Sequence, residues 1–236
     1  MNQETIKIQK AISMSGYCSR REAELLIAQN KVKINNEIAK IGQRITTKDV
    51  ILIDNKKIDW NKQPNIYLVL NKPKRTICTI EDPENRKTIY QWMNLKEYAF
   101  SVGRLDFNTT GIIIITNDGD LANKLAHPSS QIKRSYIATL DRALSTEELK
   151  FLNSHRVILD NKKSVQQVEF VGDNSYQITL VEGRNHHVKK LFNLVQSNVI
   201  KLHRVSYGCI TDKNLKIGKW RNLTAKEIID LKNQIK

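Results

Sequence analysis

Four consecutive isoleucines, Ile112 to Ile115, form the most apolar run of this 236-residue chain. Such a run is too short to span a membrane, and it predicts a strand that is buried on both faces. It follows directly on a polar loop in which Asp106 lies between Gly103 and Gly111. Loops that a rigid strand supports often carry functional side chains. The sequence therefore places a carboxylate at the end of a buried strand.

The charge of the chain favours a polyanionic partner. Lys plus Arg total 39 against 24 Asp plus Glu, which is a formal net charge of +15. Neutralising phosphates with such cations releases condensed counterions, so the excess is typical of nucleic-acid binding. Residues 1–60 hold 11 of the basic and 7 of the acidic residues, and residues 61–236 hold the other 28 and 17. Both parts are basic, and a protein with many solvated lysines is the alternative interpretation.

The cysteines and the apolar stretches indicate the compartment. Cys18, Cys78 and Cys209 are widely separated and form no CxxC pair, so neither a disulfide framework nor a zinc site is predicted. The N-terminus shows no signal pattern, and no stretch approaches 18 apolar residues. We therefore expect a cytoplasmic protein without a membrane span.

Residues 1–60 have the pattern of a small domain with two helices and short strands. The second helix begins with Ser19-Arg20-Arg21-Glu22, the pattern of a capping box, and Asn30 is a suitable left-handed residue at its end. Residues 31–37 alternate as in a half-buried strand and end in an Asn-Asn turn. The polar, proline-marked residues 61–65 predict a linker to a second domain.

Residues 66–236 combine strands and helices without a strict alternation. We predict strands at 66–70, 112–115, 136–140 and 176–181, and helices at 121–126, 145–152, 186–196 and 224–235. The missing strand–helix repeat and the missing glycine-rich phosphate loop argue against a doubly wound nucleotide-binding fold. The predicted fold class is mixed α+β.

Asp106 has two interpretations. An aspartate in a turn commonly accepts backbone hydrogen bonds, and position alone favours this structural role. Since no second carboxylate with complementary spacing lies nearby, hydrolysis by a carboxylate pair is not expected. If Asp106 takes part in chemistry, it acts as a nucleophile or as a base paired with a cation.

The second candidate segment is residues 182–192, where a predicted strand ends and a helix begins. Asn185 is a good residue to cap that helix, and Arg184 lies in the turn before it, within reach of a carboxylate or a phosphate. The neighbouring histidines His186 and His187 point about 100° apart on a helix and cannot chelate one ion. No metal site is therefore predicted here.

Other cations stand where they could contact RNA. Lys189 and Lys190 flank the predicted helix and suit backbone phosphates. Lys133 precedes Tyr136, which is either a half-buried core residue or a platform on which an unpaired base stacks with about 1–3 kcal/mol. Arg204 and its neighbours belong either to an edge strand with solvated charges or to a phosphate contact.

In their order and spacing, these motifs resemble those of the pseudouridine synthases of the RsuA/RluB/RluE/RluF family, which act on ribosomal RNA. The similar segments are 103–119, the catalytic-aspartate block; 133–136, the basic–tyrosine motif; 182–191, the E-G-R-N block; and 202–208, the L-x-R segment. Residues 7–53 resemble the small RNA-binding domain first seen in ribosomal protein S-four. Residues 81–86 and 121–128 are most similar to the family members that modify large-subunit RNA.

The resemblance implies that the protein isomerises a uridine to pseudouridine in ribosomal RNA, with large-subunit RNA favoured, and that it needs no cofactor and no metal. Asp106 would act at the sugar, as nucleophile or as base, and Tyr136 would stack on the extruded uracil. Arg184 would pair with Asp106 and keep it ionised. The implied fold is an S-four-like domain followed by a mixed, mainly antiparallel synthase domain.

The resemblance also implies the partners. RNA would be contacted by Arg20, Arg21, Arg104, Lys133, Asn185, Lys189, Lys190 and Arg204. The expected protein is a bacterial monomer that acts on ribosomal RNA in a precursor particle of the large ribosomal subunit. The alternatives are a non-catalytic RNA-binding protein with the same fold and, with less support, a hydrolase that uses Asp106.

Overall fold

The structure of the chain, a computed structural model, describes residues 5–60, 64–80, 82–95 and 97–235. It divides into two units: the first runs up to Asn65 and includes residues 97–99, and the second comprises Ile66–Leu95 and the chain from Phe100 onward. Of the predicted linker, 61–65, residues 61–63 lie outside the described residues. No helix of the described ranges is long and apolar enough to cross a membrane.

The first unit packs two short helices against short strands. Its elements are β1 (Ile6–Lys7), α1 (Ile8–Met14), α2 (Arg20–Ala28), β2 (Val32–Ile34), β3 (Glu37–Ile38), β4 (Arg44–Ile45), β5 (Ile51–Ile53) and β6 (Lys56–Ile58). The order β3-β2-β5-β6 forms an antiparallel sheet, and β1 pairs with β4. Apolar side chains of both helices and of the sheet form one buried core.

Local signals in this unit agree with the structure. The hydroxyl of Ser19 accepts a hydrogen bond from the N–H of Glu22 at 3.1 Å and so begins α2. Asn30, Asn35 and Asn36 have φ values of 58°, 50° and 72°, which is the left-handed conformation that asparagine tolerates at a helix end and in a hairpin turn. The cap at Ser19 and the left-handed asparagines are confirmed, but only one half of the predicted capping box is present in the described residues, because the Glu22 side chain accepts no hydrogen bond from the N–H of Ser19.

Residues 97–99 depart from the predicted division of the chain. They follow the helix at residues 89–93 in sequence, yet they belong to the first unit. Tyr98 forms a side-chain hydrogen bond with Ser13, and its Cβ lies next to Gly16. No local sequence pattern predicts this tertiary contact, which explains why residues 97–99 belong to the first unit and not to the second.

The second unit is built around a nine-stranded sheet. Its elements are β7 (Tyr67–Lys72), α3 (Ile89–Met93), β8 (Phe100–Ser101), β9 (Thr110–Thr116), α4 (Gly119–Ala126), a 3-10 helix (Pro128–Ser130), β10 (Arg134–Leu140), α5 (Thr146–Leu152), β11 (Ile158–Leu159), β12 (Lys162–Lys163), β13 (Gln166–Gly172), β14 (Ser175–Leu180), α6 (His187–Asn193), β15 (Val199–Tyr207), β16 (Ile210–Thr211), β17 (Trp220–Asn222) and α7 (Ala225–Asn233).

The sheet has the order β13-β14-β10-β15-β9-β7-β17, with β16 beside β15 and β8 beside β9. Its pairs are antiparallel except for β15 with β9. Every residue of β9 is buried, which confirms the strand predicted from the isoleucine run. The mixed, mainly antiparallel sheet with helices confirms the predicted α+β class.

The position of β15 corrects one interpretation of the sequence. Residues 201–204 were open to interpretation as an edge strand, but β15 lies between β10 and β9 in the interior of the sheet. Leu202 and Arg204 are 8% and 2% exposed. A central strand that carries an arginine and several polar residues has no clear apolar pattern, so its position depends on the tertiary fold.

Candidate active site

A pocket of about 620 Å³ opens where the loop before β9 meets the turn before α6. The loop contributes Arg104 and Asp106, the turn and helix contribute His186 and Lys189, and Tyr136 comes from β10. Three of the four motifs singled out in the sequence therefore line one cavity through these residues. The fourth motif reaches it through Arg204.

The loop that carries Asp106 depends on a glycine at its end. Gly111 has φ of +115°, and a Cβ there would collide with the backbone of Arg204. The close approach occurs where β9 and β15 pair in parallel, Gly111 opposite Arg204. Any other residue would force the two central strands apart, so Gly111 fixes where the loop leaves the sheet.

Lys72, at the end of β7, holds this loop from beneath. Its buried ammonium donates hydrogen bonds to the carbonyl oxygens of Pro73, Asp106, Phe107 and Thr109, at 3.0, 3.1, 3.4 and 2.9 Å. Burial lowers the pKa of Lys72 from 10.5 to about 8. The sequence analysis missed this residue, because a lysine before a proline is usually a surface residue.

The carboxylate of Asp106 has two neighbours, an ammonium and an imidazole. Lys189 donates to its Oδ2 at 2.8 Å, and Nε2 of His186 lies 3.5 Å from its Oδ1. The side chain of Asp106 is about one-third exposed, so the pair faces the pocket and is not part of the core. A carboxylate that a cation orients at the mouth of a cavity can act as nucleophile or base.

Arg184 is not the partner of Asp106, and the prediction of that ion pair is wrong. Its guanidinium bonds the carboxylate of Glu182 at 2.6 Å and the carbonyl oxygens of Leu159, Lys162 and Lys163 at 2.6, 3.2 and 2.5 Å. The side chain of Arg184 is thus bound by backbone carbonyl groups at the turn between β11 and β12. Arg184 therefore anchors that turn to the segment before α6. The cation that pairs with Asp106 is Lys189, in the first turn of α6.

The turn before α6 also differs from the prediction. The helix begins at His187, so Asn185 is not its cap; the cap position is occupied by His186, in a left-handed conformation with φ of 54°. His186 is directed to Asp106, whereas His187 is buried and shares a 2.7 Å hydrogen bond with Ser164. Burial lowers the pKa of His187.

Tyr136 belongs to a stack in which aromatic rings alternate with guanidinium groups. The guanidinium of Arg204 lies 5.9 Å from the ring centroid of Tyr136 and 5.2 Å from that of Tyr207, and Arg134 lies 5.0 Å from Tyr207. Arg204 is buried, and its Nε donates to the carbonyl of Ile112 at 2.5 Å. Arg204 therefore supports Tyr136 from below, and its buried position at the pocket is not that of a solvated contact to backbone phosphates.

Three buried polar atoms at the pocket have no hydrogen-bond partner among the described residues. They are Nη2 of Arg204, Oγ1 of Thr109 and Nδ1 of His187, whose side chains all line the cavity. Buried donors of this kind are costly unless a ligand or water satisfies them. The floor of the pocket therefore offers hydrogen-bond donors to a bound molecule.

The other predicted RNA contacts divide into those that line the pocket and those that do not. Arg104 and Asn185 are exposed at its rim. Lys133 is exposed but does not line it, and Lys190 forms an ion pair with Asp160 at 2.7 Å. Arg20 and Arg21 are exposed on α2 of the first unit.

The described residues contain no cluster of three or more His, Cys, Asp and Glu that could hold a metal ion. Cys78 lies beside the Asp106 loop, where its sulfur accepts from the N–H of Leu105 at 3.4 Å. Burial raises the pKa of this thiol.

Known proteins share both units of the chain. The model of the family described as RNA pseudouridylate synthase matches residues 66–194, more than half of the chain, and the model of the S4 domain matches residues 6–51. The chain belongs to the RNA pseudouridylate synthase family. The resemblance of the motifs to this family is thereby confirmed.

Relatives of this synthase match it over nearly its whole length. "Ribosomal large subunit pseudouridine synthase B" of Buchnera aphidicola subsp. Schizaphis graminum is 38% identical, with 94% of this chain and 91% of the relative covered. The protein of that name from Bacillus subtilis is 32% identical, with 94% and 93% covered. A crystal structure of a pseudouridylate synthase is 29% identical with a TM-score of 0.68, covering 96% of this chain and 99% of that chain.

Proposed function

We propose that this synthase converts one uridine of large-subunit ribosomal RNA to pseudouridine. The observation that carries the proposal is the meeting of Asp106, Lys189 and Tyr136 around one pocket. The relatives whose names include the large ribosomal subunit support the choice of RNA. The reaction is an isomerisation: the bond from the anomeric carbon to N1 breaks, the uracil turns, and a bond forms to C5, whose proton leaves for the solvent while N1 takes up a proton.

Asp106 acts at the ribose, either by attacking the anomeric carbon or by removing the neighbouring ribose proton. In both cases a carboxylate has to be aimed at one side of the sugar. Two lysines orient the carboxylate: the ammonium of Lys189 lies 2.8 Å from its Oδ2, and the buried Lys72 holds the backbone of the loop. His186 is a second group within reach of the carboxylate.

Tyr136 receives the extruded uracil, since an unpaired base stacks favourably on an aromatic ring. When the glycosidic bond breaks, the departing uracil gains negative charge. The unpartnered donors of Arg204 and Thr109 at the pocket floor are suited to its carbonyl oxygens. Arg134 and Arg204 line the pocket, and Lys72 lies beneath the Asp106 loop. All three are buried without a carboxylate ion pair in the described part of the chain, which makes the surroundings of the pocket positive.

The remaining residues of the proposal bind RNA. Residues 1–60, with Arg20 and Arg21 exposed on α2, act as the RNA-binding domain, and 66–236 as the catalytic domain joined through 61–65. Arg104, Asn185, Lys133 and Lys190 contact phosphates around the pocket. The protein works as a cytoplasmic monomer on a precursor particle of the large ribosomal subunit.

Replacement of the carboxylate tests the proposal. Asp106→Asn should abolish release of tritium from RNA labelled at C5 of uracil, while the affinity for the RNA stays within a few-fold of the wild type. Mapping of pseudouridines in ribosomal RNA with and without the gene should show one missing site. Isomerisation by Asp106→Asn at a near-normal rate would contradict the proposed chemistry.

A further inference from the structure

A second depression, of about 380 Å³, opens at the edge of the nine-stranded sheet formed by β17. We call it the tryptophan surface, and define it by Trp92, Trp220, Lys87, Gly218 and Lys219, which line it. The two indoles are 40% and 42% exposed. Tryptophan is highly buried on average, so two exposed rings in one depression need an explanation outside the core.

The tryptophan surface is basic. The ammonium of Lys87 lies 4.5 Å from the ring centroid of Trp92. On the other side, the loop before β17 carries Lys213, Lys216 and Lys219, all exposed and none in an ion pair within the described part of the chain. Residues 213–221 contain no acidic residue. The surface thus combines aromatic rings with uncompensated positive charge.

The geometry of this surface is fixed by close backbone packing. Nε1 of Trp92 donates to the carbonyl of Gly218 at 2.9 Å. Gly218 has φ of +82°, and a Cβ there would lie only 3.0 Å from the ring of Trp92. The position therefore requires glycine for both its conformation and its space. The hydrogen bond and the close packing hold Trp92 and the loop before β17 in a fixed relative position.

Two connections lead from the tryptophan surface to the catalytic pocket. The backbone of Asn71 pairs with Gly218 and Lys219, and the next residue, Lys72, holds the Asp106 loop. Arg86 lines the catalytic pocket, and its neighbour Lys87 lines the tryptophan surface. Since Arg86 and Lys87 are adjacent in the chain, the two pockets are neighbours at this point, within the reach of one RNA strand.

We propose that the tryptophan surface binds an unpaired nucleotide of the substrate RNA near the target uridine, with its base on Trp220 and its phosphates on the lysines. The inference rests on the proposed function for the identity of the RNA. Aromatic rings stack on any base, and neighbouring cations hold the backbone. Uncompensated lysines favour this polyanion over a protein partner.

The test compares Trp220→Ala with Trp220→Phe, which keeps an aromatic ring, and with Phe170→Ala. Phe170 is a matched control, because it is 56% exposed on β13, at the opposite edge of the same sheet. The probe is a transcript of large-subunit ribosomal RNA, titrated against each full-length variant at fixed salt. Circular dichroism verifies that each variant is folded.

Trp220→Ala should bind the transcript roughly 5- to 100-fold more weakly and lose kcat/KM by a similar factor. Trp220→Phe should recover most of the affinity, and Phe170→Ala should match the wild type. An affinity of Trp220→Ala within twofold of the wild type, or an equal loss in Phe170→Ala, would overturn the inference.

Two further outcomes separate the possible failures. If Trp220→Ala loses affinity only for ribosomal particles and not for the naked transcript, the occupant is a protein and the inference is overturned. If the wild type binds the transcript through Trp220 but releases no tritium, the proposed reaction fails while the RNA-binding surface stands.

Discussion

Lys72→Met is the change that most directly tests how the catalytic loop is held. Methionine keeps the unbranched, apolar body of the side chain but removes the ammonium that bonds four carbonyl oxygens around Asp106. Lys72 does not line the pocket. We therefore expect Lys72→Met to act through the position of Asp106.

The effect on stability should be small because two contributions oppose each other. The drop of the Lys72 pKa from 10.5 to about 8 corresponds to about 3 kcal/mol of unfavourable charge burial, which methionine relieves. Three of the carbonyls keep a second donor: Asp106 from Thr109 N–H, Phe107 from Arg75 N–H and Pro73 from the hydroxyl of Thr76.

The substitution thus leaves at most one carbonyl, that of Thr109, without a donor, at a cost of about 1–3 kcal/mol. The two contributions nearly cancel. We expect a net change within about 2 kcal/mol, which is a shift of the unfolding midpoint below roughly 8 °C.

Activity should respond much more strongly. Without the ammonium, the backbone at residues 106–109 loses the hydrogen bonds that the Lys72 side chain supplies, and a displacement of the carboxylate by about 1 Å costs on the order of 10²-fold in rate. The assay is tritium release from RNA labelled at uracil C5, run beside thermal unfolding on the same preparation. Lys74→Met is the matched control, because Lys74 is exposed two residues further on.

The pH dependence gives an independent check. Since the pKa of Lys72 is lower in the folded protein, the folded protein releases this proton first, and its stability gains as the pH rises from 8 to 10.5. The wild type should therefore gain about 3 kcal/mol over Lys72→Met in this range, measured by urea unfolding. In the activity assay, a Lys72→Met variant whose kcat/KM stays within threefold of the wild type would refute the positioning role of Lys72.

Two further changes test the ion pairs of the site. Lys189→Met should lower kcat/KM about 10²-fold, whereas Lys190→Met, whose ammonium pairs with Asp160 instead, should change it only a few-fold; equal losses in both would contradict the role given to Lys189. Arg184→Ala should lower the free energy of unfolding by roughly 2–4 kcal/mol, because the guanidinium is only 15% exposed and bonds three carbonyls and a carboxylate. Normal stability in urea with lost activity would favour the ion pair with Asp106 after all.

What the sequence predicts well here is governed by neighbouring residues. The cap at Ser19 and the left-handed asparagines at 30, 35 and 36 follow from side-chain chemistry within three or four positions. The buried strand β9 follows from its own four isoleucines. Each of these features needs no information on the rest of the chain.

The errors concern long cationic side chains, whose partners are chosen by the tertiary fold. Arg184 and Lys189 are both within reach of a carboxylate along the chain, and only the turn between β11 and β12 decides that Arg184 is captured there. Arg204 is buried because β15 enters the sheet between β10 and β9. Strand order depends on pairing between distant parts of the chain. No local pattern could therefore show which of these cations reaches Asp106 and which is buried.

The end of β7 links the catalytic loop with the tryptophan surface through different atoms. The side chain of Lys72 holds the Asp106 loop, whereas the backbone of Asn71 pairs with Gly218 and Lys219. Because the hydrogen bonds of Asn71 do not involve the Lys72 side chain, Lys72→Met should disturb the first connection and leave the second. The variant should therefore lose turnover while its affinity for RNA, including the part that depends on Trp220, stays within a few-fold of the wild type.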